Sequence, residues 1–286
     1  MNALDVLSAL RLEDDRPWGE AASPVQWTDA AGFLAEDSPP YWYVTRARGY
    51  SKTSDAAGMA LGLMLTAGPG WRGYWVAADA EQAALGVDAM AGFVARTPLL
   101  RGQVEVQARR VRVTGSDARL DVLPADAPGA WGLRPDLVVA DERAMWRDTE
   151  SARRVWEAVS TATTKRPGAR LLVVTTASSP SHPAFADLEH ARASDLWAVS
   201  ETPGPPPWAV SGVKQRLGAP YFPSVHYTSE YDAEIAVKVL KGKKDATIGL
   251  VGKSYIPKNF FQYLEKYLTG VKFVDATEEI DQIKVI

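Results

Sequence analysis

Cysteine is absent from the 286 residues of the sequence. Disulfide frameworks, thiolate zinc sites, iron–sulfur clusters and cysteine nucleophiles are therefore excluded. No segment approaches the roughly 20 uninterrupted apolar residues that span a bilayer. Residues 1–5 also lack the basic region and apolar stretch that open a secretory signal. From these absences we expect a soluble intracellular protein.

Histidine and excess positive charge are scarce as well. The three histidines, His182, His190 and His226, have no spacing suited to a metal site or a catalytic triad, so we interpret them as structural or surface residues. The formal net charge is -3, which gives no overall excess of cations for nucleic acid. Any DNA contact must be local. One candidate is the basic segment 109–112, which either grips a DNA backbone or forms a solvated strand edge.

Lysine is nearly missing from the first part of the chain. Only Lys52 and Lys165 occur before residue 211, whereas Arg216 is the only arginine after it, and all ten tryptophans precede residue 209. The change falls near the proline-rich run 203–207, where fixed φ angles and missing donors favour an extended spacer. We therefore predict two domains, 1–210 and 211–286, with different sequence histories.

Short apolar runs alternate with helical patterns through the first part. This alternation predicts an α/β domain with a mostly parallel sheet and helices on both faces. The continuous apolar runs 137–140 and 171–174 are typical of strands covered on both sides. The further predicted strands are 41–44, 74–78, 104–113 and 118–123. The last two are expected to be antiparallel and joined by residues 114–117. The predicted helices are 56–64, 81–96 and 150–161.

A polar loop lies between the first of these strands and the following helix. A nucleoside triphosphate needs backbone N–H groups at its phosphates, an ammonium near the β/γ oxygens and a hydroxyl for Mg²⁺, and such a loop supplies all three. The usual pattern is G-x-x-x-x-G-K-[ST], but Arg46 and Ser51 replace its two glycines. The alternative is an ordinary turn capped by Ser51 or Thr53. The loop reads Arg48-Gly49-Tyr50-Ser51-Lys52-Thr53.

Two carboxylates, Asp141 and Glu142, follow the buried run 137–140. The carboxyl end of such a strand is where α/β sheets usually bind ligands. Asp141 there is suited to hold hydrated Mg²⁺, and Glu142 to polarise an attacking water. The alternative is a helix N-terminus, where acidic residues favour the positive end of the dipole.

A third apolar run, 171–174, ends in small hydroxyl residues, beginning with Thr175 and Thr176. Such hydroxyls can contact a γ-phosphate or its attacking water and so sense hydrolysis. They can equally cap the strand and begin a turn.

Taken in this order, the three motifs resemble the ATPase domain of tailed-phage large terminases over roughly residues 15 to 208. The resemblance implies a P-loop NTPase-like fold and a Mg²⁺-dependent ATPase that drives packaging of double-stranded DNA into a viral capsid. It further implies a homo-oligomeric ring in the host cytoplasm, with the viral portal and the small terminase subunit as partners and no membrane contact.

The same resemblance implies roles for single residues. Lys52 and Thr53 bind phosphate, Thr53 and Asp141 hold Mg²⁺, and Glu142 is the catalytic carboxylate. Arg48 stabilises charge on the transferred phosphate, as an arginine finger does.

The resemblance also makes Thr175 and Thr176 the coupling motif between hydrolysis and DNA movement. It assigns nucleotide contacts to three loop residues and to one upstream glutamine in the position of an adenine-reading side chain: Gly49, Tyr50, Ser51 and Gln26. Because Ser51 replaces a glycine that the phosphates normally approach closely, an inactive nucleotide-binding or scaffolding module stays an alternative.

The second part predicts a small α/β module with strands 246–252 and 271–275 around a helix at 259–268. Its last residues resemble the end of the N-terminal domain of creatinase/prolidase-type metallopeptidases, without their catalytic domain. A peptidase-related accessory domain is therefore a third alternative, and we expect no peptidase activity. About 75 residues are also too few for the ribonuclease H-type nuclease domain of large terminases. Two partial resemblances indicate a chimera or fusion.

Overall fold

The computed structural model describes residues 1–125 and 132–202 and, further on, residues 237, 240–242, 246–250 and 264–275. The chain divides into two compact units, Met1–Thr202 and Pro203–Ile286. The boundary predicted near residue 210 falls outside the described residues and stays a prediction.

Within residues 1–125 and 132–202, eight strands form one sheet in the order β3-β4-β5-β2-β6-β7-β1-β8. The strands β5, β2, β6, β7, β1 and β8 run parallel, and the antiparallel pairings are β3 with β4 and β4 with β5. The mostly parallel sheet is thus confirmed. The strands are β1 Tyr41–Arg46, β2 Arg72–Ala77, β3 Val104–Gln107, β4 Arg110–Val113, β5 Arg119–Pro124, β6 Leu137–Asp141, β7 Arg170–Thr175 and β8 Trp197–Thr202.

Helices cover both faces of this sheet, as predicted. On one face they bury a core that includes Trp18, Phe33, Met64 and Phe93, and on the other a core around Trp146 and Val159. The first group comprises α1 Ala3–Ala9, α2 Trp18–Ala21, α3 Pro24–Leu34, α4 Lys52–Thr66 and α5 Ala80–Arg96, and the second comprises α6 Glu150–Ala162 and α7 Pro183–Arg192.

Helix α4 runs from the predicted phosphate loop into the first core. Most of its residues are buried, and at Gly62 it packs so closely on α1 that an added Cβ would lie 2.5 Å from the Ala3 carbonyl oxygen. Only glycine permits this approach. Because α4 is fixed along its length, its first turn, which carries Lys52 and Thr53, is held at the end of the sheet.

The prediction of one strand over 104–113 is wrong, since this segment is a hairpin of β3 and β4. Val104 pairs with Val113, and Val106 pairs with Val111. Side chains alternate along a strand, so a single strand would place Val104 and Val106 on one face but Val111 and Val113 on the other. Folding back at residues 108–109 brings all four valines to the same side. β4 then pairs antiparallel with β5, as predicted for the segments joined by residues 114–117.

In the second unit, β9 Thr247–Leu250 and β10 Lys272–Asp275 pair in parallel, with Ile248 opposite Phe273. Both lie within predicted strands. Residues 264–267 are helical, inside the helix predicted over 259–268, of which 259–263 lie outside the described residues. Among the described residues, no helix has the length and apolarity needed to cross a membrane.

Candidate functional site

The loop after β1 needs two left-handed residues. Gly49 has φ 77° and Ser51 has φ 53°. Glycine adopts this conformation without cost, whereas a serine is strained in it. Ser51 precedes α4, but its side chain makes no capping hydrogen bond. The alternative of a turn capped by Ser51 therefore has no support, and the strain explains why a glycine is usual there.

Lys52 turns inward at the start of α4. Its side chain is only 4% exposed, and its Nζ lies 3.2 Å from the Ala47 carbonyl oxygen and 3.2 Å from Glu142 Oε1. A buried ammonium requires such partners. The ion pair joins the loop directly to the acidic end of β6.

Asp141 ends β6 and is almost fully buried. The Thr53 hydroxyl lies 3.2 Å from both carboxylate oxygens and can donate to either. Burial, and then the neighbouring charge of Glu142, raise the pKa of Asp141 to about 7, against the opposing effects of Thr53 and Lys52. A cation bound beside Asp141 would favour the ionised form of its carboxyl group.

Glu142 has a left-handed backbone with φ 45°, which is rare for a residue that is not glycine. Its amide donates to the Val174 carbonyl at 2.7 Å, and its carboxylate accepts from the Thr176 amide at 3.2 Å. Thr175 Oγ1 accepts from the Ala144 amide at 2.9 Å. The two predicted coupling threonines thus bind the turn that carries Glu142.

A cavity of about 370 Å³ opens between these elements. Three of its lining residues, Ser54, Gln82 and Met145, were not predicted. Gln82 lies in the first turn of α5, and the only sequence signal for it is that α5 also begins at the carboxyl end of a strand. The lining residues are Arg48, Gly49, Tyr50, Ser51, Lys52, Thr53, Ser54, Gln82, Glu142 and Met145.

The donor set fits magnesium. Among the described residues, no group of three or more His, Asp or Glu side chains is arranged to hold a metal. Magnesium, however, keeps several waters and usually takes one or two protein ligands together with substrate phosphates. The Thr53 hydroxyl and the Asp141 carboxylate, already in contact, supply such a pair.

Comparison with known proteins adds to this geometry. No protein-family model matches the chain, and no curated protein matches it. Among solved structures, the HK97 bacteriophage large terminase matches with a TM-score of 0.62 and 17% identity, covering 94% of this chain and 54% of that one. The chain shares its fold with phage large terminases. A large terminase from a thermophilic bacteriophage, in complex with ADP, matches with a TM-score of 0.53 and 10% identity, covering 68% and 50%. The chain thus spans about half the length of both proteins.

In this terminase fold, most of the predicted site residues come together. The loop 48–53 faces Glu142 across the cavity, Asp141 touches Thr53, and residues 175–176 hold the Glu142 turn.

Gln26 is not among the residues that line the cavity. It is buried in α3, where its Nε2 donates to both oxygens of Asp55 at 3.0 Å and its Oε1 accepts from the Ser23 amide at 2.9 Å. The amide is therefore occupied by the protein itself, and adenine contact stays a prediction.

The chain also contains a buried charge cluster that was not predicted from the sequence. Arg46, one of the two departures from the glycine pattern, is 2% exposed and pairs at 2.6 Å with both Asp29 and Asp55. Trp18 Nε1 also donates to Asp55, at 2.9 Å. Arg46 thus ties the end of β1 to α3 and to the first turns of α4. The partners are distant in sequence, so no local pattern identifies them.

The basic segment 109–112 spans the turn into β4, next to the edge strand β3. Arg110 pairs with Asp121 at 2.5 Å, and Arg112 pairs with Glu105 at 2.5 Å. These carboxylates neutralise much of the local charge, and β4 is an inner strand, because β3 forms the edge. DNA contact through this segment stays a prediction.

Proposed function

We propose that the chain is a Mg²⁺-dependent ATPase of the large-terminase type. The observation that carries the proposal is the arrangement of Lys52 and Thr53 opposite Asp141 and Glu142, around a cavity at the carboxyl ends of parallel strands. A loop, a buried lysine and two strand-end carboxylates are what phosphoryl transfer from a nucleoside triphosphate requires.

In this proposal the loop amides and the N-terminus of α4 bind the phosphates, and Lys52 neutralises the β and γ oxygens. Thr53 and Asp141 would hold Mg²⁺, which would neutralise charge on the phosphates. Lys52 pairs with Glu142 in the free protein. A bound phosphate competes for Lys52 and thereby frees the Glu142 carboxylate to orient and polarise the attacking water.

Arg48 and the threonines complete the assignment. Arg48 is exposed and lines the cavity, and in this proposal it stabilises charge on the transferred phosphate. Thr175 and Thr176 bind the Glu142 turn, so a shift of Glu142 on hydrolysis would be passed to β7. Gln26 can read adenine only if its amide releases Asp55.

The motor function and its partners rest on the likeness to the HK97 large terminase. We propose that hydrolysis drives translocation of double-stranded DNA, within a homo-oligomeric ring at a viral portal, with a small terminase subunit, in the host cytoplasm. Nuclease and peptidase activities are not part of the proposal.

An inactive nucleotide-binding or scaffolding module is the second candidate. It is favoured by Ser51, whose strained backbone and Cβ stand in the loop where the phosphates approach. Such a protein would bind ATP without turnover.

Hydrolysis measurements on wild type and Glu142→Gln separate the two candidates. We expect wild type to hydrolyse ATP only with Mg²⁺, and Glu142→Gln to bind ATP but lose about 10²- to 10⁴-fold in rate, as removal of a general base does. Glu150→Gln, an exposed carboxylate at the start of α6, is the matched control and should keep the wild-type rate. Equal background rates in wild type and Glu142→Gln, with ATP bound by both, would establish the inactive module.

Stimulation by double-stranded DNA tests the motor part separately. A terminase motor should hydrolyse ATP faster when linear duplex DNA is added. If the ATPase rate does not change with DNA, even in the presence of a portal, the proposal of an ATPase stands and the proposed packaging role fails.

A further inference from the structure

Arg143 directly follows the two strand-end carboxylates and is not among the residues that line the cavity. Its side chain is 4% exposed, and its Nη2 lies 2.9 Å from Asp187 Oδ2 on α7. The guanidinium carbon stands 4.7 Å from the Trp156 ring centre and 5.2 Å from that of Trp146. One buried cation is therefore enclosed by a carboxylate and two indoles.

The turn of residues 142–146 needs such an anchor. Glu142 is held in a left-handed conformation, and strained residues of this kind persist only where their surroundings determine them. On the strand side, the turn is bound by Val174 and Thr175. On the helix side, Arg143 is its charged contact with α7.

Trp146 extends this anchor back to the acidic strand end. Its Nε1 donates to the Asp141 carbonyl at 2.9 Å, and its own carbonyl lies 2.9 Å from His182 Nε2. His182 Nδ1 accepts from the Ala184 amide, so the neutral ring carries its proton on Nε2 and donates to Trp146. Residues 141–146 thus contact α7 at two points, its N-cap residue His182 and, further along the helix, Asp187.

We propose that the Arg143–Asp187 ion pair, seated on Trp146 and Trp156, is a positioning element that holds the Glu142 turn in the orientation needed for hydrolysis. Arg143 touches no residue of the loop 48–53 in any contact described above, so its role is separate from nucleotide binding. The inference rests on the proposed ATPase function, because only there does the direction of the Glu142 carboxylate matter.

Arg143→Met removes the charge and keeps most of the length of the side chain. A displacement of about 1 Å at a catalytic group costs up to about 100-fold in rate, so we expect kcat to fall about 10- to 100-fold while the Kd for ATP is unchanged. Rates are normalised to the folded fraction. Asp187→Leu and the double variant should show the same loss as Arg143→Met, because the two residues act as one unit.

Arg170→Met is the matched control. Arg170 on β7 is partly buried and also stacked on an aromatic ring, with its guanidinium carbon 5.8 Å from the Phe33 ring centre, and it donates to the Ala35 carbonyl at 2.7 Å. These contacts lie at the opposite end of β7 from Thr175. Arg170→Met should lower stability and leave kcat at the wild-type value.

Amide hydrogen exchange of residues 142–146 gives a readout that does not depend on activity. Arg143→Met should speed exchange at the Ala144 amide, which donates to Thr175 Oγ1, and Arg170→Met should not. If Arg143→Met does not fold, Arg143→Lys keeps the charge without the flat stacking surface and should show a smaller change in the same direction.

An unchanged kcat in Arg143→Met, an equal loss in Arg170→Met, or losses that multiply in the double variant would each overturn the positioning role. If wild type hydrolyses ATP no faster than Glu142→Gln, the proposed function fails instead. In that case the exchange measurement still tests whether Arg143 anchors the turn. Unchanged exchange at residues 142–146 in Arg143→Met would show that it does not.

Discussion

The loop end and the acidic end of the candidate site are each anchored by a buried arginine, but in different surroundings. Arg46 beside the loop is paired with two carboxylates, Asp29 and Asp55. Arg143 beside Glu142 is paired with one carboxylate, Asp187, and otherwise packed between indoles. The first anchor is mainly electrostatic, whereas the second is largely a packing contact.

The pKa values of the two guanidinium groups differ in the corresponding way. Burial lowers the pKa of Arg46, but Asp55 and Asp29 outweigh it and the net shift is upward. Burial lowers the pKa of Arg143, and Asp187 offsets this only in part. We infer that removing Arg46 leaves the larger uncompensated charge in the protein interior.

The largest expected effect is therefore that of Arg46→Met. It leaves Asp29 and Asp55 buried without a cation, and breaking a buried pair in this way costs about 3–5 kcal/mol of unfolding free energy. Urea unfolding of the purified wild type and Arg46→Met measures this loss of unfolding free energy. Arg154→Met, which removes an exposed partner of Glu150 on α6, is the control and should change stability little. A similar small loss for Arg46→Met would mean that its pairs do not stabilise the loop end.

Arg143→Met should destabilise the protein less than Arg46→Met. Only one carboxylate is left behind, and Asp187 is 18% exposed, so water can solvate it. We expect a loss of about 1–3 kcal/mol in the same urea experiment. A loss equal to or larger than that of Arg46→Met would reverse the comparison between the two anchors.

Asp55 makes the loop anchor pH-dependent. Burial raises the pKa of Asp55, although Arg46, Trp18 and Gln26 oppose the shift. The folded state therefore binds this proton more tightly than the unfolded state, so the associated stability is complete below the usual aspartate pKa and is lost as pH rises through the folded value.

In Asp55→Asn this contribution disappears. Above about pH 4, the unfolding free energy of wild type should fall relative to that of Asp55→Asn as pH rises. Melting temperatures of both proteins across this range test it. A difference that does not vary with pH would show that Asp55 is ionised alike in both states.

The smallest expected effect is that of Ser51→Gly at the loop itself. Glycine adopts φ 53° without strain, so stability should stay equal or rise by up to about 1 kcal/mol, and ATP should bind more tightly because the Cβ is gone. Asp15→Gly relieves another left-handed residue, with φ 65°, outside the cavity lining. It should leave ATP affinity unchanged. If Ser51→Gly and Asp15→Gly change ATP affinity equally, Ser51 has no specific effect on nucleotide binding.

Several features could be read from the sequence because their cause is local. The apolar runs 137–140 and 171–174 predicted buried strands, and these are β6 and β7. Carboxyl ends of parallel strands meet at one edge of a sheet, so Asp141, Glu142 and Thr175 were expected near the loop. The hairpin at 104–113 also has a local sequence signal, because its valines change from even-numbered to odd-numbered positions between Val106 and Val111.

The amino-acid sequence by itself determined the alternation of strands and helices and the placement of a loop and two carboxylates at strand ends, since these depend on neighbouring residues. Only the tertiary structure decided what holds them. Arg46 reaches Asp29 and Arg143 reaches Asp187 across 17 and 44 positions of the chain. Such pairings form where packing excludes water and forces a buried charge to find a partner, and no pattern of neighbouring residues records which partner that is.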